Sequence, residues 1–375
     1  MYNLILSFEK RLMFIINMKP YKQGVILLIC SIPLLIFTNP AFLYRFFECI
    51  KAVSNGSEYV YYEIIAKQSE NIFAKLNSTS YLSHESNMQF RLFLPLLCKF
   101  SPFQSKTLFV NLIQLPLGVV FFTLLYSVFY KILNDKTLTF WMMVGTMGLY
   151  LGTACYVDYF GFGDFFAYLF LLISIRYPNI LLKLISLLLA YYCDERALFG
   201  SIFVLLYFVI VENNKLFFSR NSTIVAISWL FYLISRLYLQ DIFQLNHSFA
   251  NEVLPQMGKV FYQMAKIWSF RFWSAFEGFN VLILLGYVFL LKEKKYWHFS
   301  LLILGTLFSL LFAMIALDLT RGITYYFVCL PIAIHVVKNH LSLQELKIVI
   351  FLLTLICLIH PTLSKFTIYN NISLM

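Results

Sequence analysis

Long apolar runs broken by short polar ones recur along almost the whole chain. They fall near 24–43, 107–130, 137–157, 163–175, 180–193, 197–211, 222–239, 278–291, 298–317, 322–337 and 348–362. A helix crossing the hydrocarbon of a bilayer needs about 20 apolar residues. The pattern therefore predicts an all-α, polytopic transmembrane helical bundle of about ten or eleven spans. The first run follows basic residues, as a signal peptide would, but it is long enough to span and has no small-residue cleavage site, so it reads as a retained helix. Met18, followed by Lys19, offers an alternative start, and the residues before it add little to the pattern.

The polar breaks carry a second signal. With Lys10, Arg11, Lys19 and Lys22 placed inside, the loops holding Lys131 and Lys136, Arg176 and Lys183, Lys215 and Arg220, Lys292, Lys294 and Lys295, and Lys338 and Lys347 all fall inside as well. Short loops rich in Lys and Arg stay cytoplasmic, which predicts a multi-pass protein of the plasma (inner) membrane with a cytoplasmic N-terminus. Two long segments then lie outside, 44–106 and 240–277. Both mix aromatic and charged residues at near-helical spacing, as from Glu58 to Phe73 and in MGKVFYQMAKIWSFRFW from Met257 to Trp273. These are expected to be amphipathic helices in the outer interface. The whole chain, 1–375, reads as one transmembrane domain without an inverted repeat.

Composition agrees with lipid as the main solvent. Of 375 residues, 61% are hydrophobic and 13% charged, far from the usual soluble balance. A net charge of +11 would point to nucleic acid in a soluble protein, but here the cytoplasmic loops account for it and no nucleic-acid partner is expected. The seven cysteines include no C-x-x-C pair and no metal-ligand spacing. Cys49 and Cys98 would lie on one side of the membrane and could pair, although buried free thiols are the preferred reading. The histidines form no HxxxH or HExxH pattern.

Ionisable groups at membrane level are costly and are usually kept for function or for pairing. Here they gather on the outer side: YVDYFGFGD (Asp158, Asp164), CDER (Asp194, Glu195, Arg196), DLTR (Asp318, Arg321) and, from the first long loop, HESNMQFRLFLP (His84, Glu85, Arg91). Guanidinium forks match phosphate oxygens, and a nearby carboxylate can take a proton from a hydroxyl. That combination suits transfer of a sugar from a lipid-phosphate carrier. Simpler readings compete at each position. Asp318 and Arg321 could pair with each other, the Asp194–Arg196 triplet could be a solvated turn, and Asp164 could cap the next helix. Asp158, Asp164 and Asp194 could hold a divalent cation with a pyrophosphate, but their spacing does not demand one, and no cofactor is otherwise indicated.

In layout the chain resembles the GT-C class of polytopic membrane glycosyltransferases, which use polyprenyl-phosphate-linked donors. The likeness lies in a first span followed by a long acidic outer loop, the FRLFLP entry to the second span, the D-x-x-A-Y-like start at Asp164 to Tyr168, and DERA closing another span. The resemblance implies a lipid-linked sugar donor and a role in cell-surface glycan assembly. It also implies a base in the first outer loop, Glu85, with Glu58 and Glu63 as fallback, and lipid-phosphate contacts from Arg91, Arg196 and Arg321. The catalytic candidates are thus Glu85, Asp164, Asp194 and Glu195, and the substrate-binding candidates Arg91, Asp158, Arg196, Asp318 and Arg321. The first loop departs from the class in holding five Glu and no Asp between Arg45 and Lys106. A surface-polysaccharide polymerase and a transporter or flippase of lipid-linked sugars are the alternatives.

Overall fold

A computed structural model describes residues 2–38, 41–73, 88–158, 160–216, 219–243, 268–315 and 319–359, and every regular element among them is helical. In chain order these are α1 (Tyr2–Ile16), α2 (Pro20–Thr38), α3 (Ala41–Ser54), α4 (Tyr62–Glu70), α5 (Phe93–Lys99) and α6 (Lys106–Leu133). There follow α7 (Lys136–Met147), α8 (Tyr150–Val157), α9 (Asp164–Arg176), α10 (Ile180–Cys193), α11 (Arg196–Ile210) and α12 (Arg220–Phe243). The last six are α13 (Trp268–Phe276), α14 (Phe279–Lys292), α15 (Tyr296–Ile315), α16 (Leu319–Thr324), α17 (Cys329–Lys338) and α18 (Leu343–Ile359).

Among the described residues, each apolar run falls largely on helical chain. By length and apolarity, however, four helices among the described residues can cross a membrane: Pro20–Phe37, Lys106–Leu133, Arg220–Ile242 and Tyr296–Ala313. A fifth arises if α7 and α8, bent by 53°, form one broken span. These helices are consistent with a polytopic membrane bundle, with fewer full-length spans than the apolar runs predict. The reason is helix length. The apolar helices α10, α11, α14 and α17 hold 14, 15, 14 and 10 residues, or roughly 15–23 Å at about 1.5 Å per residue, against a hydrocarbon core of about 30 Å. The run expected at 322–337 is cut into α16 and α17. The run expected at 137–157 breaks after Gly148, where a Cβ would collide with the Cys357 carbonyl of α18.

Local chemistry sets the helix ends. Ser105, Asp135 and Asn179 occupy N-caps and accept from Leu108, Leu138 and Leu182 at 3.2, 2.8 and 3.0 Å. The αL conformation of Asn134, φ 53°, closes α6. The residues before Met18, weak in the pattern, fold as α1, which buries Ile5 and Ile16 and pairs Glu9 with Lys347 of α18 at 3.2 Å.

The basic connections meet at one end of the bundle. Lys131, closing α6, pairs with Glu212 beyond α11 at 2.9 Å. Asn221 donates to Glu212 at 3.1 Å and accepts from Lys183 at 2.5 Å. Arg176 donates to Ser127 at 2.5 Å, and Lys338 donates to the Ile132 carbonyl.

Segment 44–106 holds α4, α5 and most of α3. The amphipathic α3 exposes Tyr44, Phe47 and Ile50 and buries Phe42 and Cys49. Of the second long segment, residues 244–267 lie outside the described ones, and α13 carries the end of the stretch from Met257 to Trp273. None of the seven cysteines forms a disulfide, Cys49 and Cys98 included.

Glu58, a fallback base by resemblance, has a structural task. Its carboxylate accepts from the Lys106 and Thr107 amides at 2.6 and 2.8 Å and from the Thr107 hydroxyl at 2.6 Å. It thus covers donors left open at the α6 N-terminus and sits at the positive end of the helix dipole. Replacing Glu58 by Ala should lower stability by about 1–2 kcal/mol, read as a lower thermal midpoint of the detergent-purified chain. The exposed Glu63 replaced by Ala should shift it by no more than about 0.5 kcal/mol. Equal effects would remove the capping role.

Candidate functional site: a buried aspartate and arginine cluster

Asp164 opens α9 and Arg176 closes it, Lys183 lies near the start of α10 and Asp194 follows its end, and Arg196 opens α11 while Glu212 lies beyond it. The acidic ends of these helices therefore gather at the end of the bundle opposite the basic connections. There Asp164 and Asp194 are fully buried, and Asp158, Arg91, Arg196 and Arg321 nearly so.

Asp164 is the hub. Arg321, on α16, grips it with a two-pronged fork, Nε to Oδ2 at 2.5 Å and Nη2 to Oδ1 at 2.9 Å. Arg196 Nη2 reaches Oδ1 at 3.4 Å, and the hydroxyls of Tyr150 and Tyr325 donate at 2.8 and 2.7 Å. Those contacts outnumber the roughly four acceptor positions of a carboxylate. The helix N-cap is Gly163, with no side-chain capping bond, so the Asp164 side chain serves the arginines and tyrosines instead of the helix end.

Asp194 is filled in the same way. The Arg196 fork donates from Nε and Nη2 at 2.8 and 2.6 Å, the Arg196 amide donates at 2.9 Å, and Arg91 Nη2 pairs at 3.0 Å. Arg91 comes from the entry to α5, so the first long segment is tied directly into the cluster. The triplet is not a solvated turn, since only Glu195 faces outward. Glu195 pairs with Arg236 of α12 at 3.4 Å, and the Arg236 guanidinium lies over the Phe90 ring, 4.1 Å from its centroid.

Phe162 locks the turn between α8 and α9. Its amide donates to Asp158 Oδ1 at 2.9 Å, its carbonyl accepts from Arg91 Nη1 at 3.4 Å, and its ring lies under the Arg321 guanidinium, 3.6 Å away. A cation over a desolvated ring gains from the ring quadrupole. Gly161 and Gly163, at φ 88° and 81°, supply the left-handed backbone that this turn needs.

Glu85, His84 and Asp318 lie outside the described residues. Of the other candidates, the structure joins Arg91, Asp164, Asp194, Arg196 and Arg321 in one network, sets Asp158 beside it through Phe162, and turns Glu195 to Arg236. Among the described residues no three His, Cys, Asp or Glu side chains are grouped to hold a metal ion. Arginine and tyrosine donors already fill the oxygens of Asp164 and Asp194 that a cation would need.

Sequence reasoning missed Tyr150, Tyr325, Phe162 and Glu277. Nothing in the sequence separates the two tyrosines from the other members of a set of 25. Glu277 was readable as a lone acid in an aromatic run before Gly278. It is fully buried with φ 47°, between α14 and α13, and α13 packs on the Arg321 helix with Ser274 and Thr320 hydroxyls 3.2 Å apart.

Compared with known proteins, the chain matches no family model, no curated protein and no solved structure. What the cluster can do therefore follows from its own chemistry.

Leaving a buried charge without its partner costs about 3–5 kcal/mol. Asp164→Ala should thus strongly destabilise the chain. In a double-mutant cycle of Asp164→Asn with Arg321→Gln, thermal unfolding in detergent should give a coupling of about 1–3 kcal/mol. Additive single effects would show that the fork contributes nothing beyond packing.

Proposed function

We propose that the chain is a multi-pass membrane glycosyltransferase that moves a sugar from a lipid-phosphate-linked donor to an acceptor on the outer face, in cell-surface glycan assembly. In this reading the short helices complete a bundle of about ten or eleven crossings, locally thinned or tilted, and the basic end faces the cytoplasm.

One observation carries the reading: three guanidinium groups from distant stretches, Arg91, Arg196 and Arg321, are buried together and oriented by two saturated aspartates. Burying several charges costs several kcal/mol per ion before pairing repays it, and such groups in a membrane protein are usually functional. Arginines held in fixed forks are preorganised donors for a phosphate. Asp164 and Asp194 are then positioning residues, because their acceptor sites are already filled. The lipid phosphate leaves with an added negative charge as the sugar departs, and fixed guanidinium groups stabilise that charge most as it develops.

The test is mass spectrometry of lipid-linked and surface glycans. A deletion strain should lack a sugar that the native chain restores. Arg321→Gln, inserted at the native level, should restore at most about 1–10% of it, since a charged hydrogen bond lost at the phosphate is worth about 1.5–3 kcal/mol. Identical glycans in the deletion and parent strains would exclude the reading. A transporter or flippase would instead leave the sugar-bearing lipid accumulating on the cytoplasmic side.

A further inference from the structure

Among the buried polar atoms beside the cluster that lack hydrogen-bond partners are Asp158 Oδ2, Arg91 Nε and the Tyr62 hydroxyl. All three belong to residues packed on one turn, that of Gly161 and Phe162. Asp158 and Arg91 bind the amide and the carbonyl of the same residue, Phe162. Tyr62 and Ile65 of α4 lie over Gly161, the preceding residue. Buried polar groups in folded proteins are nearly always satisfied, so this pairing of an acceptor with donors calls for a ligand group that is both donor and acceptor. A hydroxyl is such a group: it can accept from Arg91 Nε and donate to Asp158 Oδ2.

The cluster's other carboxylates are committed elsewhere. Asp164 and Asp194 are saturated by arginine, tyrosine and amide donors, Glu195 pairs with Arg236, and Glu58 caps α6. Asp158 is different. Its Oδ1 is fixed by the Phe162 amide, and its second oxygen meets no hydrogen-bond partner.

Building on the glycosyl-transfer reading, we propose that Asp158 is the general base for the acceptor hydroxyl, with Arg91 Nε holding that hydroxyl's oxygen. The acceptor O–H proton passes to Asp158 Oδ2 as the acceptor oxygen forms its bond to the anomeric carbon. The bond from that carbon to the phosphate oxygen breaks, and its electron pair leaves with the lipid phosphate. The base loses one negative charge while the phosphate gains one, so the total charge of the site is constant through the step. The acceptor enters beneath α4, which covers the turn. This places the base in the second outer connection, where the resemblance had pointed to Glu85.

The test uses the full-length chain and two readouts. One is binding of undecaprenyl phosphate to the purified protein in lipid nanodiscs by native mass spectrometry. The other is the sugar added to surface glycans in a deletion strain carrying each variant. Asp158→Asn keeps an oxygen for the Phe162 amide but cannot take the proton. It should bind undecaprenyl phosphate within about twofold of the native chain while transfer falls about 10²–10⁴-fold, and Asp158→Glu should recover part of the transfer. Near-native transfer by Asp158→Asn overturns the assignment. Loss of transfer together with loss of binding also overturns it, by making Asp158 a structural residue. Failure of the native chain to bind undecaprenyl phosphate, or unchanged glycans on deletion, instead strikes the glycosyl-transfer reading beneath it.

Discussion

The fork between Arg321 and Asp164 is the contact on which the acidic end of the bundle depends. It joins residues 157 positions apart at 2.5 and 2.9 Å, in an apolar setting where neither charge has an alternative in water. Around it the constraints propagate in order. Asp164 orients Tyr150, Tyr325 and Arg196; Arg196 fills Asp194; Asp194 holds Arg91; and Arg91 draws the end of the first long segment onto the Phe162 turn. Four connections that are remote in sequence are thereby fixed against one another by charge-assisted bonds, which are directional where apolar packing is not.

The helices were legible because each apolar run is a local property. Span count was not. An apolar run records that helical chain avoids water, but not where packing between helices will break it, as at Gly148 against Cys357 or between Thr324 and Cys329. The α1 helix was missed because only part of its face is buried, and what holds it includes a pair between Glu9 and Lys347, almost the full chain apart.

At the cluster the candidate residues could be chosen from sequence, since acids and arginines at the ends of apolar runs are few. Their partners could not. Arg321 grips Asp164, 157 positions away, a partner that position along the chain does not indicate. Asp194, Glu195 and Arg196 are consecutive, yet Glu195 turns to Arg236 while its neighbours face inward. Tyrosine hydroxyls complete the hub, and nothing in a single sequence distinguishes a tyrosine that binds a carboxylate from one that sits in an apolar interface. Saturation of a carboxylate is a three-dimensional property, and it separates the aspartates that hold arginines from the one that keeps an oxygen uncommitted.

The two ends of the bundle use charge in opposite ways, and magnitude decides what each use is for. The pair of Lys131 with Glu212 is partly exposed, with side chains 53% and 23% accessible, and such pairs are worth about 0–1 kcal/mol. They can be exchanged for other loop residues with little loss of stability. The aspartates at the other end are wholly inaccessible, and breaking one such pair costs about 3–5 kcal/mol, a large share of the roughly 5–15 kcal/mol by which domains are stable. Well-packed apolar residues of similar volume often hold helices together as well as a buried ion pair, or better. Stability alone therefore does not account for three buried arginines converging on one turn, whereas the phosphate-bearing ligand we propose would.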